Sequence, residues 1–105
     1  MNKYTINEDE VGKEYLQELI EIIKIRIDRK KIYGDSFLSE KPEALLSIIN
    51  GKQRRFTTLY NITNKNNIQC DKMLDEIYDI INYYLFIACT LKNVKGGDYE
   101  WKKKT

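Results

Sequence analysis

Apolar residues recur along this chain with the three- and four-residue spacing of amphipathic helices, in three successive segments. In the first segment, residues 11–30, they form a broad face while acidic residues line the opposite side. Thr5 or Asn7 precedes the segment and is a candidate for its N-cap. The spacing is lost before Gly34, which can adopt a positive φ, so we expect the first helix to end in a turn there.

The second helical segment follows this turn. Tyr33 and Phe37 lie on either side of the glycine, and we expect both aromatic rings to pack inward. Ser39 or a near neighbour is a candidate N-cap for the next helix, and Pro42 suits its first turn. Helical spacing then continues to Tyr60. The pattern therefore predicts a second helix that ends near residue 60.

Gly51 interrupts the middle of this second helix. A glycine there costs about 1 kcal/mol relative to alanine, so it suggests a close approach of another element or a break in the helix. Residues 52–55, Lys-Gln-Arg-Arg, are the densest internal basic cluster. Such a cluster is either a solvated helix face or a phosphate-binding surface, since arginine pairs well with phosphate.

The third helical segment, residues 71–92, is the most apolar part of the chain. An asparagine-rich stretch, residues 61–69, precedes it and is expected to be a loop, with Asp71 as a candidate N-cap. The second half is apolar almost all round, so we expect it to be buried on several sides and to pack against a second copy in a homo-oligomer. The expected core face is Leu74, Ile77, Tyr78, Ile81, Tyr84, Leu85 and Ala88.

Carboxylates cluster in the first half of this third segment. Glu76 and Asp79 are three residues apart and Asp75 and Asp79 are four apart, so on a helix each pair shares one side. They could hold a hard divalent cation through oxygen, or they could simply face solvent. Glu18 and Glu21, an ExxE pair on the first helix, present the same two alternatives.

Composition limits the fold and the chemistry. A chain of 105 residues with one proline suits one all-α domain, which we predict as a small bundle of three main helices over residues 1–95, followed by a basic tail over residues 96–105. The absence of histidine excludes histidine-dependent triads and metal sites. Two cysteines without metal-site spacing favour a reducing cytoplasm. A net charge of +2 gives no support for nucleic-acid binding, and no apolar run is long enough for a membrane span.

Three motifs in order resemble a known family. They are DRKKIYGDSF at residues 28–37, KQRRF at residues 52–56, and DEIYDIINY at residues 75–83. Together they resemble the small, phage-rich nucleotide modification associated domain, which is related to the all-α NTP pyrophosphatases of MazG type. The resemblance covers roughly residues 14–92. The chain departs from the pattern in two respects. Glu21 and Glu76 lie farther apart than the ExxE and ExxD pairs of the wider superfamily, and Gly51 stands where the middle motif usually has an acid before its lysine.

The resemblance implies a nucleotide-binding protein whose helix carboxylates hold Mg²⁺. In catalytic relatives the metal positions a triphosphate, which is cleaved to monophosphate and pyrophosphate. By position, Glu76 and Asp79 are the implied catalytic carboxylates and metal ligands, and Glu18 and Glu21 are the implied second pair of ligands. The residues implied to contact the nucleotide or its phosphates, or to support those that do, are Lys31, Tyr33, Lys52, Arg55 and Asn82.

Three functions stay open at this point. One is the Mg²⁺-dependent pyrophosphohydrolase, which would lack one carboxylate if the acid replaced by Gly51 is a ligand. A second is a catalytically silent protein, such as a phage product in the bacterial host cytoplasm that sequesters a nucleotide signal or blocks a host factor. The third is a helical interaction module in which the apolar third helix serves only assembly.

Overall fold

A computed structural model of the chain describes residues 6–62 and 66–96, and every regular element in them is helical. This confirms the predicted all-α class with three main helices. The helices are α1 (Glu8–Val11), α2 (Lys13–Tyr33), α3 (Pro42–Tyr60) and α4 (Asn67–Gly96), with a short 3₁₀ helix over Ser36–Ser39. Backbone contacts divide the chain into two compact units, and the division falls between Gly34 and Asp35. Residues 97–105 of the predicted basic tail lie outside the described residues.

The first unit contains α1 and α2, where a single helix was predicted. Asn7 is the N-cap of α1, because its side-chain oxygen accepts a hydrogen bond from the Asp9 N–H at 2.8 Å. Gly12 has a φ of 98° and separates the two helices. The prediction of one continuous helix was wrong at this point, since that φ is incompatible with an α-helix and is rarely adopted by other residues.

The end of α2 confirms the predicted glycine turn. Gly34 has a φ of 60°, and its N–H donates to the Lys30 carbonyl. The Arg26 guanidinium also donates to the Gly34 carbonyl at 3.3 Å, which ties the turn back to the helix. Tyr33, however, is 66% exposed, so the prediction that it packs inward was wrong.

The second unit is built on α3 and α4, which run antiparallel. The 3₁₀ helix packs on α4 through Phe37, whose ring stacks on Phe86 with centroids 4.2 Å apart. Tyr83 meets the same Phe86 ring edge-on at 5.5 Å. The inward packing predicted for Phe37 is thus supplied by aromatic contacts with α4.

The start of α3 differs from the prediction in its cap. Pro42 is the first helical residue, and Lys41 is the N-cap without a side-chain cap hydrogen bond. Ser39 is not the cap, because its hydroxyl donates to the Ser36 carbonyl at 2.8 Å within the 3₁₀ helix. The helix continues through Gly51 to Tyr60 without a break, and a Cβ added to Gly51 would meet nothing within 4 Å. The predicted break at Gly51 was therefore wrong, and among the described residues no other element closely approaches this glycine.

The start of α4 lies four residues earlier than predicted. The Asn66 N–H donates to the Gln69 side-chain oxygen at 2.8 Å, and the Gln69 N–H donates to the Asn66 side-chain oxygen at 2.9 Å. This reciprocal pair is a capping box, which satisfies two N–H groups that the helix end would otherwise leave unpaired. Asp71 lies inside the helix and is not its cap.

The face that α4 turns toward α3 is not the predicted apolar one. Leu74, Ile81 and Leu85 are 41%, 36% and 52% exposed, whereas Glu76 and Asp79 are half-buried. The reason lies in α3, which supplies cations that pair with these two carboxylates. Within the described residues, only three apolar side chains are buried: Ile22, Leu45 and Ile49.

No helix in the described part of the chain is both long enough and apolar enough to cross a membrane.

Candidate functional site

The candidate site is a charged cluster between α3 and α4 in the second unit. Lys52 and Arg55 lie one turn apart on α3, and Glu76 and Asp79 lie one turn apart on α4. Because the two helices run antiparallel, Lys52 lies opposite Asp79 and Arg55 lies opposite Glu76. The tertiary structure thus brings together four of the residues that the sequence singled out.

Lys52 is at the centre of this cluster. Its ammonium nitrogen donates to Asp79 Oδ2 at 2.8 Å and lies 4.0 Å from Glu76 Oε1. All three side chains are only about one-sixth exposed, with values of 16%, 14% and 15% for Lys52, Asp79 and Glu76. The Tyr83 ring centroid lies 5.8 Å from the same nitrogen, at cation–π distance. Partial burial strengthens these interactions, because fewer water molecules screen the charges.

Arg55 extends the cluster toward solvent. Its Nε donates to Glu76 Oε2 at 2.9 Å, while 59% of the Arg55 side chain stays exposed. Glu76 therefore interacts with a cation on each side. The Arg55 side chain combines a fixed contact to α4 with a surface that a ligand can reach.

Asn82 lies one turn further along α4 and is 4% exposed. Its side-chain nitrogen donates to the Tyr78 carbonyl at 3.1 Å, within its own helix. This back-bonding holds the Asn82 amide in one orientation, next in sequence to the Tyr83 ring. This hydrogen bond is structural, and a role of Asn82 in supporting a metal or phosphate stays a prediction.

The other predicted site residues belong to the first unit. Glu21 pairs with Lys24 at 3.5 Å, and Lys31 pairs with Asp28 at 3.9 Å, both within α2. Glu18 and Tyr33 are exposed on the same helix. Their roles in metal or phosphate binding stay predictions.

A groove of about 570 Å³ opens beside the charged cluster, between α3 and α4. One wall follows α3 with i, i+3, i+4, i+7 spacing, and the other follows α4 with residues three or four apart. The lining residues are Gly51, Arg54, Arg55, Thr58, Leu59, Lys72, Asp75 and Glu76.

Sequence reasoning missed Thr58, Leu59 and Lys72 as parts of this groove, and included Arg54 only within the basic cluster. The signal that could have found them is helical spacing, because Thr58 follows Arg54 by four residues and Lys72 precedes Glu76 by four. Among the described residues, neither the Arg54 guanidinium nor the Lys72 ammonium has an ion-pair partner. These cations are consequently available to a ligand.

Magnesium binding requires oxygen ligands arranged around an open position. Here the Lys52 ammonium lies against both carboxylates, and in the ranges that the structure describes no three acidic or cysteine side chains are grouped to hold a metal ion. The side chains as arranged therefore do not fit a Mg²⁺ site. Binding of Mg²⁺ at Glu76 and Asp79 stays a prediction that would require Lys52 to move away.

No protein-family model, curated protein or solved structure matches this chain. The family resemblance accordingly stays a prediction, carried by the three motifs alone.

Proposed function

We propose that this protein binds a nucleotide in the groove between α3 and α4. The observation that carries the proposal is the position of Arg54 and Lys72 on opposite walls of one groove, with no ion-pair partner among the described residues. Arginine and lysine are the side chains that bind phosphate, and a guanidinium can donate two parallel hydrogen bonds to it.

The size and lining of the groove support a ligand larger than inorganic phosphate. Small-molecule sites commonly have volumes of about 300–1,000 Å³, and 570 Å³ falls within that range. Leu59 offers an apolar surface for a base, while the exposed carboxylate of Asp75 can accept hydrogen bonds from base N–H groups. Gly51 leaves part of the α3 wall without a side chain, so a ligand can approach the helix closely there.

Binding without hydrolysis is the form of the proposal that the charged cluster favours. Lys52 and Arg55 already pair with Glu76 and Asp79, so these carboxylates have a structural role in joining α3 to α4. A protein of this kind could sequester a nucleotide or a nucleotide signal in the reducing cytoplasm of a bacterial host. Pyrophosphohydrolysis is the second candidate, favoured by the two carboxylates lying one turn apart beside the groove.

Isothermal titration calorimetry with a panel of NTPs, dNTPs, NMPs and pyrophosphate tests this proposal, first without and then with Mg²⁺. We expect saturable binding of at least one nucleotide. The double substitution Arg54→Glu and Lys72→Glu is expected to weaken that binding by at least about tenfold, since it removes two charge-assisted contacts. The matched control is Lys13→Glu with Lys41→Glu, which makes the same charge change at exposed positions outside the groove.

A steric pair of variants locates the ligand. Gly51→Leu would fill the groove next to Arg54 and Arg55, so we expect it to abolish binding, while Gly51→Ala retains most of it. Failure of every nucleotide to bind would contradict the proposal, as would an equal loss in the charge control. Release of pyrophosphate with Mg²⁺, abolished by Glu76→Gln, would instead establish the second candidate.

A further inference from the structure

One side of α4 carries an apolar stripe that is separate from the groove. Its members are spaced alternately by four and three residues, which is the a/d spacing of helices that pack against another helix along their length. Asp71 and Lys92 continue the same spacing at the two ends. We call this stripe the α4 seam: Leu74, Tyr78, Ile81, Leu85 and Ala88.

The α4 seam points away from α3. Successive residues of an α-helix are about 100° apart, so Ile81 lies roughly 140–200° around the helix from Glu76 and Asp79, which contact α3. Leu85 is 52% exposed, and Leu74 and Ala88 are also exposed. A helix in water normally buries such a stripe, because the transfer of large apolar side chains out of water is favourable.

The charges at the two ends of the seam indicate what covers it. In a parallel pairing of two copies, Asp71 would lie beside Asp71 and Lys92 beside Lys92, and both contacts would be repulsive. In an antiparallel pairing centred near Ile81, Asp71 of each copy lies close to Lys92 of the other. Both residues are exposed and, among the described residues, neither is in an ion pair. The seam is therefore complementary to itself only in the antiparallel direction.

We propose that a second copy of this chain covers the α4 seam, with the two α4 helices antiparallel about a twofold axis near Ile81. The seam from Asp71 to Lys92 is about 32 Å long, which gives each copy six turns of helix for the contact. Such an interface is isologous, because the same patch serves both copies. The proposal is independent of nucleotide binding, since the groove lies on the α3 side of α4.

Sedimentation equilibrium of the full chain tests the proposal first. We expect a monomer–dimer equilibrium whose dissociation constant rises by at least about tenfold in Ile81→Glu, which places a charge at the centre of the seam. The matched control is Ile48→Glu on α3, an isoleucine of similar exposure outside the seam, and it should leave the constant unchanged. A chain that stays monomeric at every concentration would overturn the proposal.

Charge exchange tests the direction of pairing without disturbing the apolar positions. Asp71→Lys and Lys92→Asp should each weaken the dimer several-fold, and the double variant should restore it because the attractive pairs reform with opposite polarity. If the double variant is weaker than either single variant, antiparallel pairing is overturned.

The two natural cysteines, Cys70 and Cys89, provide an independent readout, since both are exposed on α4. In the antiparallel dimer, Cys70 of one copy lies near Cys89 of the other, while like cysteines are more than about 20 Å apart. A short bismaleimide should therefore link wild-type dimers, and both Cys70→Ser and Cys89→Ser should abolish the link. Cross-linking that persists in either single variant would indicate parallel pairing or another contact, and would overturn the proposal.

Discussion

At the scale of single residues, Lys52 links α3 to α4 through two carboxylates. It is the only α3 side chain described here that reaches both Glu76 and Asp79, and it is largely covered by them and by Tyr83. A half-buried ion pair is costly to break on one side, because the remaining charge keeps its desolvation cost and loses its partner. Lys52 therefore matters more to the fold than an ordinary surface lysine.

Replacing Lys52 with Met is expected to lower the free energy of unfolding by about 2 kcal/mol, because two neighbouring, half-buried carboxylates lose their shared cation. Urea denaturation followed by far-UV circular dichroism measures the change. The matched control is Arg55→Met, where the loss should stay below about 1 kcal/mol because the Arg55 side chain is mostly solvated. Equal losses in the two variants would contradict the central role of Lys52.

The residue types of the cluster could be predicted from the sequence, but their partners could not. The basic motif and the acidic motif each have helical spacing, so each was expected to lie on one side of its helix. That they lie against each other depends on the antiparallel packing of α3 and α4. Metal ligation and exposure to solvent were the two alternatives for these carboxylates, and their ion pairs with the basic motif were not predicted.

At the scale of elements, Gly34 and Gly51 have different structural roles. Gly34 ends α2 with a φ of 60°, a conformation that other residues adopt only at a cost, whereas Gly51 is an ordinary helical residue with open space around its missing Cβ. The prediction of a turn at Gly34 was correct, because polar turn residues follow this glycine. The prediction of a break at Gly51 was wrong, because a helix tolerates an isolated glycine at a cost of about 1 kcal/mol.

The same substitution at the two glycines should have effects of opposite sign. Gly34→Ala is expected to lower the free energy of unfolding by about 1–2 kcal/mol, because the alanine Cβ is strained at positive φ. Gly51→Ala should raise it by about 1 kcal/mol, because alanine loses less backbone entropy in a helix and meets no neighbour. Thermal and urea denaturation measure both. Destabilisation by Gly51→Ala would indicate that α3 is not a continuous helix.

Some helix boundaries were predicted correctly, and others, among them the break at Gly12, were missed. Gly34 and Tyr60 were identified correctly as helix ends, and Asn7, one of the two candidate caps, is the N-cap of α1. The start of α4 was missed because the asparagine-rich stretch was interpreted from its composition as a loop. Its capping box depends on Asn66 and Gln69 three residues apart, and this spacing was present in the sequence.

At the scale of the whole molecule, the exposed apolar surface is the main unexplained feature of a single copy. Among the described residues, the α4 seam leaves Leu74, Ile81 and Leu85 exposed while few apolar side chains are buried. If a second copy covers the seam, folding and association are linked, because the dimer contributes free energy only to the folded state.

Thermal stability should accordingly depend on protein concentration. For a dimer that dissociates as it unfolds, a tenfold increase in concentration adds about 1.4 kcal/mol per dimer, which corresponds to a rise in Tm of about 3 °C for chains of this size. Differential scanning calorimetry over a hundredfold concentration range measures the trend. Ile81→Glu should show a concentration-independent Tm, whereas the control Ile48→Glu should keep the dependence. A flat response in the wild-type chain would contradict the linkage.

The sequence by itself determined the all-α class, the three main helices and the charged residues that α3 and α4 carry, because helical periodicity and turn chemistry are local properties. Only the tertiary structure decided which face of α4 meets α3. Apolar residues surround most of that helix, so the sequence pattern favours no single face, and in the structure α4 meets α3 on the side where Glu76 and Asp79 pair with Lys52 and Arg55. The same packing creates the groove beside Arg54 and leaves the α4 seam exposed.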